Sequence, residues 1–129
     1  MIDSAYQDLI DFHRACDVPV LSGAAIPSPD RVKLRRDLLA EEYGELDRGV
    51  EAGDLVEIAD GLVDMIYIAI GTALEYGIDL PAVWDEIHAS NMRKVDPATG
   101  KVEKREDGKV MKPAGWTPPN VRAALGLDR

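Results

Sequence analysis

The stretch that most constrains this 129-residue chain is "LVEIADGLVDMIYIAIGTALEY", residues 55 to 76, which is too apolar for a surface helix yet carries acids. Asp54 before it reads as an N-cap and Gly77 after it as a stop signal. On a wheel of roughly 100° per residue, Glu57, Asp60 and Asp64 fall within about 60° of one another. Nearly all the rest is apolar: Leu55, Val56, Ile58, Leu62, Val63, Met65, Ile66, Ile68, Ile70 and Leu74. Such a helix is expected to be surrounded by protein. Ionised carboxylates buried without a partner cost several kcal/mol each, so the acidic stripe requires cations.

Those cations are not local. Between Arg48 and Arg93 there is no Lys or Arg, against nine Asp or Glu. A hard divalent ion held by carboxylate oxygens therefore becomes a candidate. Glu57 has a competing local role, since it stands three residues after Asp54 and can close a capping box. For Asp60 and Asp64 the alternative is a solvated face of a less buried helix.

The preceding helix supplies a matching set. It opens near Ser28 or Asp30, ends at Gly53, and contains "LLAEEYGELDRG". Val32, Leu39, Tyr43, Leu46 and Val50 share its expected buried face, with Leu34, Leu38, Glu42 and Glu45 on the adjoining arc. The i, i+3 spacing lets Glu42 and Glu45 approach one ion, while Glu41 lies further toward solvent. Packed antiparallel, the two helices bring four or five carboxylates together, enough for two magnesium ions that keep waters and substrate oxygens.

The rest of the chain completes an all-α expectation. Residues 3–16 place Ala5, Tyr6, Leu9, Ile10, His13 and Cys16 on one helical face, 17–29 read as a loop, and a fourth helix runs from Asp79 and Pro81 to about Lys94. The fold class is an antiparallel bundle of four main helices with an irregular C-terminal tail. Residues 1–94 form the helical catalytic domain, and 95–129 a tail that packs on it or on a neighbouring subunit. Asp107-Gly108 is a hairpin signal in that tail. The apolar arcs are wider than four helices of this length can hide, which predicts a homodimer or homotetramer.

Charge and cysteine usage exclude other classes. A net charge of -9 argues against nucleic-acid or anionic-membrane binding. Residues 93 to 122 nonetheless hold eight Lys or Arg against four acids. The single Cys16 excludes an internal disulfide, no apolar run reaches the roughly 20 residues of a membrane span, and no leader is evident, so a cytoplasmic location is expected.

Glu42-x-x-Glu45, then Glu57-x-x-Asp60 with Asp64 four residues on, resembles the hallmark of the all-α nucleoside triphosphate pyrophosphohydrolases. This MazG-like group includes dimeric dUTPases and phosphoribosyl-ATP pyrophosphohydrolase. "SNMRKVDPATGKVEKREDGKVMKPAGWTPP" is similar to a stretch of small bacterial and phage members. The register stays open: Glu57 with Asp60 satisfies the motif literally, whereas Asp64 precedes an apolar pair and an aromatic, as in many relatives, but leaves Gly61 at the glutamate position.

The resemblance implies Mg2+, with Mn2+ as a substitute, held by Glu42, Glu45, Glu57, Asp60 and Asp64. It implies cleavage between the α- and β-phosphates of an NTP or dNTP, giving the monophosphate and pyrophosphate, with Glu41 or Glu42 as general base. Asn91 and Lys94 would lie near the triphosphate, with Lys109, Lys112 and Trp116 closing from the tail. The bland alternatives are a helix cap and dipole partner for the first pair and a solvated tail for the rest. Tyr67, preferred to His13, would line a base pocket. Competing readings are a dedicated dUTPase and a non-catalytic oligomerisation or regulatory module of the same fold. A di-iron bundle is disfavoured because Glu-x-x-His pairs are missing.

Overall fold

The computed structural model describes residues 2–127, and its elements start and stop where the sequence supplies the chemistry. Helix α1 spans Ile2–Ala15, α2 Pro29–Ala52, α3 Leu55–Glu75 and α4 Leu80–Met92. A proline opens α2, where its missing N–H would have had no helical partner, and Gly53 closes it at φ 65°, a left-handed conformation that glycine adopts without strain. The Asp54 carboxylate accepts hydrogen bonds from the Val56 and Glu57 amides at 3.1 and 3.2 Å, which starts α3. Only half of the expected capping box forms, because the Asp54 amide is already given to the Gly49 carbonyl. The fold is the all-α one expected.

The chain divides into two compact units, Met1–Leu80 and Pro81–Arg129. In the first, Leu9, Ile70 and Leu74 form the fully buried core, with Tyr6, Ile10, Val20, Tyr67 and Leu80 packed against it. The core thus sits at the C-terminal half of α3. The loop after α1 is tied to that same end, with the Leu21 amide bonded to the Leu74 carbonyl at 3.0 Å and the Ala25 amide to the Tyr76 carbonyl at 2.9 Å.

The N-terminal half of α3 departs from expectation. Leu55 and Val56 are 77% and 76% exposed, and Leu62, Val63 and Ile66 are exposed as well. Within one chain α3 is not surrounded, because only α2 lies along this half and it covers one side. Tyr43 and Val50 of α2, expected on its buried face, are also exposed.

What α2 turns to α3 is a different stripe. A Cβ added at Gly49 would lie 3.1 Å from the Glu57 Cβ, and one at Gly61 would lie 3.1 Å from both Cα and Cβ of Leu46. Further along, Arg35 donates to Thr72 and to the Ile68 carbonyl. The seam is therefore Arg35, Glu42, Leu46 and Gly49 on α2 against Ile58, Gly61, Asp64, Ile68, Thr72 and Glu75 on α3. Polar and glycine positions dominate it, so a hydropathy wheel centres the interior face of α2 to one side of the observed seam, with Leu46 common to both.

In the second unit, the strands β1 (Val95–Asp96) and β2 (Lys101–Val102) pair antiparallel. The Asp107-Gly108 turn is present, with an isolated bridge between Lys104 and Val110 and Gly108 at φ 85°. A short helix α5 spans Val121–Ala124. The tail is pinned to α4 by a 2.7 Å hydrogen bond from the Trp116 indole to the Ser90 carbonyl and one of 3.1 Å from Arg93 to the Thr117 carbonyl.

Two alanine substitutions separate the seam from helix propensity. Gly61→Ala gains about 1 kcal/mol of propensity but overpacks the backbone of α2, at a cost of about 1–3 kcal/mol. It is expected to lower the urea midpoint. At Gly44 the added methyl meets only the end of the Arg48 side chain at 3.4 Å, so Gly44→Ala is expected to raise the midpoint by the equivalent of up to about 1 kcal/mol.

Candidate metal centre

Two turns along α2 from Arg35, the antiparallel seam brings three carboxylates face to face. Glu42, Glu45 and Asp64 each offer an oxygen, all within 4.8 Å of one another. Glu42 and Glu45 reach the same point because they are one turn apart on α2. Asp64 reaches it because Gly61, one turn earlier, lets α3 approach Leu46 closely. Glu42 and Asp64 are half-buried and Glu45 is exposed, so the cluster lies at a wet edge of the seam.

The electrostatics are unrelieved. Burial, followed by the neighbouring charges of Glu45, Asp64, Glu41 and Asp60, pushes the Glu42 carboxyl above the usual carboxylate range. Asp64 is raised in the same way by burial, Asp60 and Glu45, and by a hydrogen bond shared with Asp60. The Glu42 Oε2 is buried and accepts no hydrogen bond. Among the described residues no lysine or arginine forms an ion pair with Glu42, Glu45, Glu57, Asp60 or Asp64. A set of hard oxygens with an orphaned acceptor and no counter-charge fits a divalent cation.

The other expected residues are distributed around this point. Asp60 is exposed but interacts directly with Asp64. Glu57 stands outside the three-oxygen cluster and lines a groove of about 260 Å³ with Glu45, Arg48, Gly49, Ala52 and Asp54. Glu41 is exposed beside Glu42. Tyr67 is half-buried against the core and meets Phe12 edge to face, ring centroids 5.6 Å apart.

The second unit gathers its own group. Lys94 and Lys112 stand 5.2 and 4.9 Å from the centroid of the Trp116 ring, which favours their charge. Asn91 accepts from the Lys94 ammonium at 3.0 Å, while the Lys109 side chain is exposed. Arg93, Lys94 and Lys101 line a hollow of about 460 Å³ that also contains Asp96 and Glu103.

A buried ionic cluster escaped the sequence reading. Arg31 and Arg35 reach Glu75 at 2.6 and 3.0 Å, and Glu75 is 1% exposed. Glu75 was one of the nine acids without a local cation; its cations come from α2. The available signal was the i, i+4 spacing of Arg31 and Arg35, which fall on the same side of α2 as Leu38 and Glu42.

The metal-free cluster sets a pH dependence. Raised carboxyls favour the folded state in their protonated form, so their contribution is full below the ordinary carboxyl value and is lost as pH rises through the raised folded values. In EDTA, stability is therefore expected to fall as pH rises from that ordinary range toward neutrality. Glu42→Gln is expected to flatten this fall, raise the metal-free melting temperature by a few degrees, and abolish the stabilisation that Mg2+ confers at pH 7.5. Thermal scans across pH with and without Mg2+ check all three.

Comparison with known proteins follows the same helices. The family described as phosphoribosyl-ATP pyrophosphohydrolase matches residues 9–91, well over half of the chain and inclusive of Glu41, Glu42, Glu45, Glu57, Asp60 and Asp64. An uncharacterized protein of Acanthamoeba polyphaga mimivirus is 43% identical over 53 residues. The match covers 41% of this chain and 21% of that protein, so the chain spans about a fifth of the relative's length.

Proposed function

This chain belongs to the phosphoribosyl-ATP pyrophosphohydrolase family, and from that premise we propose that it is a metal-dependent nucleoside triphosphate pyrophosphohydrolase. The substrate is an NTP or dNTP, the bond broken joins the α- and β-phosphates, and the products are the nucleoside monophosphate and pyrophosphate. The observation that carries the reading is the convergence of Glu42, Glu45 and Asp64 within 4.8 Å, with a buried Glu42 oxygen left without a partner.

Glu42, Glu45 and Asp64 would hold Mg2+, or Mn2+ in its place. Asp60, beside Asp64, and Glu57, in the groove it shares with Glu45, offer further carboxylates. When bound, the ion neutralises phosphate charge and makes water a better nucleophile. Glu41, exposed and adjacent, takes the proton of the attacking water. The water oxygen joins phosphorus, and the bridging oxygen leaves with pyrophosphate.

Cationic and aromatic groups of the second unit suit an anionic nucleotide. Lys94, Lys109 and Lys112 supply charge, Asn91 an amide and Trp116 a stacking surface, and these are proposed contacts of the substrate. Tyr67 is proposed to line the base site. The exposed apolar positions of α3 suit a second copy of the chain, which supports a homodimer or homotetramer.

Pyrophosphate release is measured on a panel of ribo- and deoxynucleoside triphosphates, dUTP and phosphoribosyl-ATP among them, with Mg2+, Mn2+ or EDTA. Turnover of at least one substrate is expected with metal and not with EDTA. Asp64→Asn should reduce it by two orders of magnitude or more. A folded wild-type protein inactive on every member would overturn the reading in favour of a non-catalytic module.

A further inference from the structure

The three carboxylates converge only in one register of α2 against α3, and the structure shows what fixes that register. Gly49 meets Glu57 and Ile58, Leu46 meets Gly61, and Glu42 meets Asp64. Beyond them Arg35 meets Ile68, Thr72 and Glu75. Each step back along α2 is matched by a step forward on α3.

Arg35 is the part of this seam that cannot slide. It is 6% exposed, and its planar fork donates to the Thr72 hydroxyl at 3.1 Å and the Ile68 carbonyl at 3.0 Å on α3, while its charge pairs with the Glu75 carboxylate at 3.0 Å. Arg31 completes Glu75 from the other side at 2.6 Å. A helical step is about 1.5 Å, so a slip of one residue breaks these bonds and leaves a desolvated charge without a partner.

The surroundings are shaped to hold the guanidinium. A Cβ on Gly71 would lie 2.5 Å from the Arg35 Nη2 and 2.8 Å from the His13 Nε2, so only glycine leaves room at that position. His13 from α1 is 4% exposed and backs the same space. Burial holds its imidazole below the usual value, and the Arg35 charge acts in the same direction. The guanidinium is thus enclosed by α1, α2 and α3, two turns from Glu42.

We infer that Arg35 is a positioning residue for the metal centre: its buried fork on Thr72 and Ile68 and its ion pair with Glu75 lock the helix register in which Glu42, Glu45 and Asp64 share one ion. This rests on the reading of that centre as a divalent-cation site. Arg35 touches neither ion nor substrate and acts through the placement of α2 on α3.

The test separates register from stability. Replacement of a buried ion pair by apolar residues of similar size is often neutral or stabilising, so Arg35→Met combined with Glu75→Met should fold with an unchanged or higher melting temperature. Arg31, one-third exposed, can then turn to water. Mn2+ binding, read by electron paramagnetic resonance titration of the folded protein, is expected to weaken fivefold or more in the double variant. Arg35→Lys keeps a charge for Glu75 but loses the fork, and should weaken Mn2+ by a smaller factor that still exceeds twofold.

Affinities within twofold of wild type in the folded variants would overturn the positioning role while leaving the centre intact. Should the double variant fail to fold, Arg35→Lys decides by the same criterion. A wild-type protein that binds no Mn2+, or an Asp64→Asn variant that binds it unchanged, would instead overturn the centre and the inference with it.

Discussion

Mutual repulsion among carboxylates on the α2–α3 seam is the constraint around which the first unit is built. Glu42, Glu45 and Asp64 gain nothing from one another, and burial raises two of them further. Folding must therefore hold together a region that opposes its own assembly. Close glycine contacts at Gly49 and Gly61 lie on one side of it, and the arginine–glutamate cluster at Glu75 on the other. The core of Leu9, Ile70 and Leu74 anchors that second flank. A strained middle between stable ends is the usual disposition of a functional site, where local stability is given up for chemistry.

Charge is sorted by element. Among the described residues the acids of α3 near its N-terminus have no cation, whereas Glu75 near its C-terminus has two. Both sets would look alike in composition, yet one is neutralised by arginines of α2 and the other is not. The second unit holds its cations around Trp116 and along the β1–β2 segment. An acidic body with a basic tail is consistent with a protein whose ligand carries negative charge and whose ion carries positive charge.

The exposed half of α3 follows from the same economy. A seam of glycine and short polar groups draws α2 close but covers a narrow strip, so the broad apolar surface of Leu55, Val56, Leu62, Val63 and Ile66 stays outside the single chain. Burying it would remove several large aliphatic side chains from water, each worth about 1.5–3 kcal/mol when fully buried.

The order and approximate bounds of the four main helices were legible in the sequence, while the short α5 was not, because capping and stop signals act locally: Asp54 caps α3 and Gly53 ends α2 wherever the helices then go. The acids to consider were legible too, since an acid in an apolar helix without a nearby cation demands an explanation from chain composition alone; of the five, Glu42, Glu45 and Asp64 converge. Tertiary structure decided which acids meet. Glu57 and Asp60 satisfy the motif in one dimension, yet Asp64 joins Glu42 and Glu45, because the approach of α3 to Leu46 at Gly61 selects the residue one turn further on. It also decided that Glu75 is paired by arginines some forty positions earlier, a match that no local spacing encodes. The reason is common to both: side-chain periodicity is a property of one helix, whereas register between two helices is set by contacts that exist only once they pack.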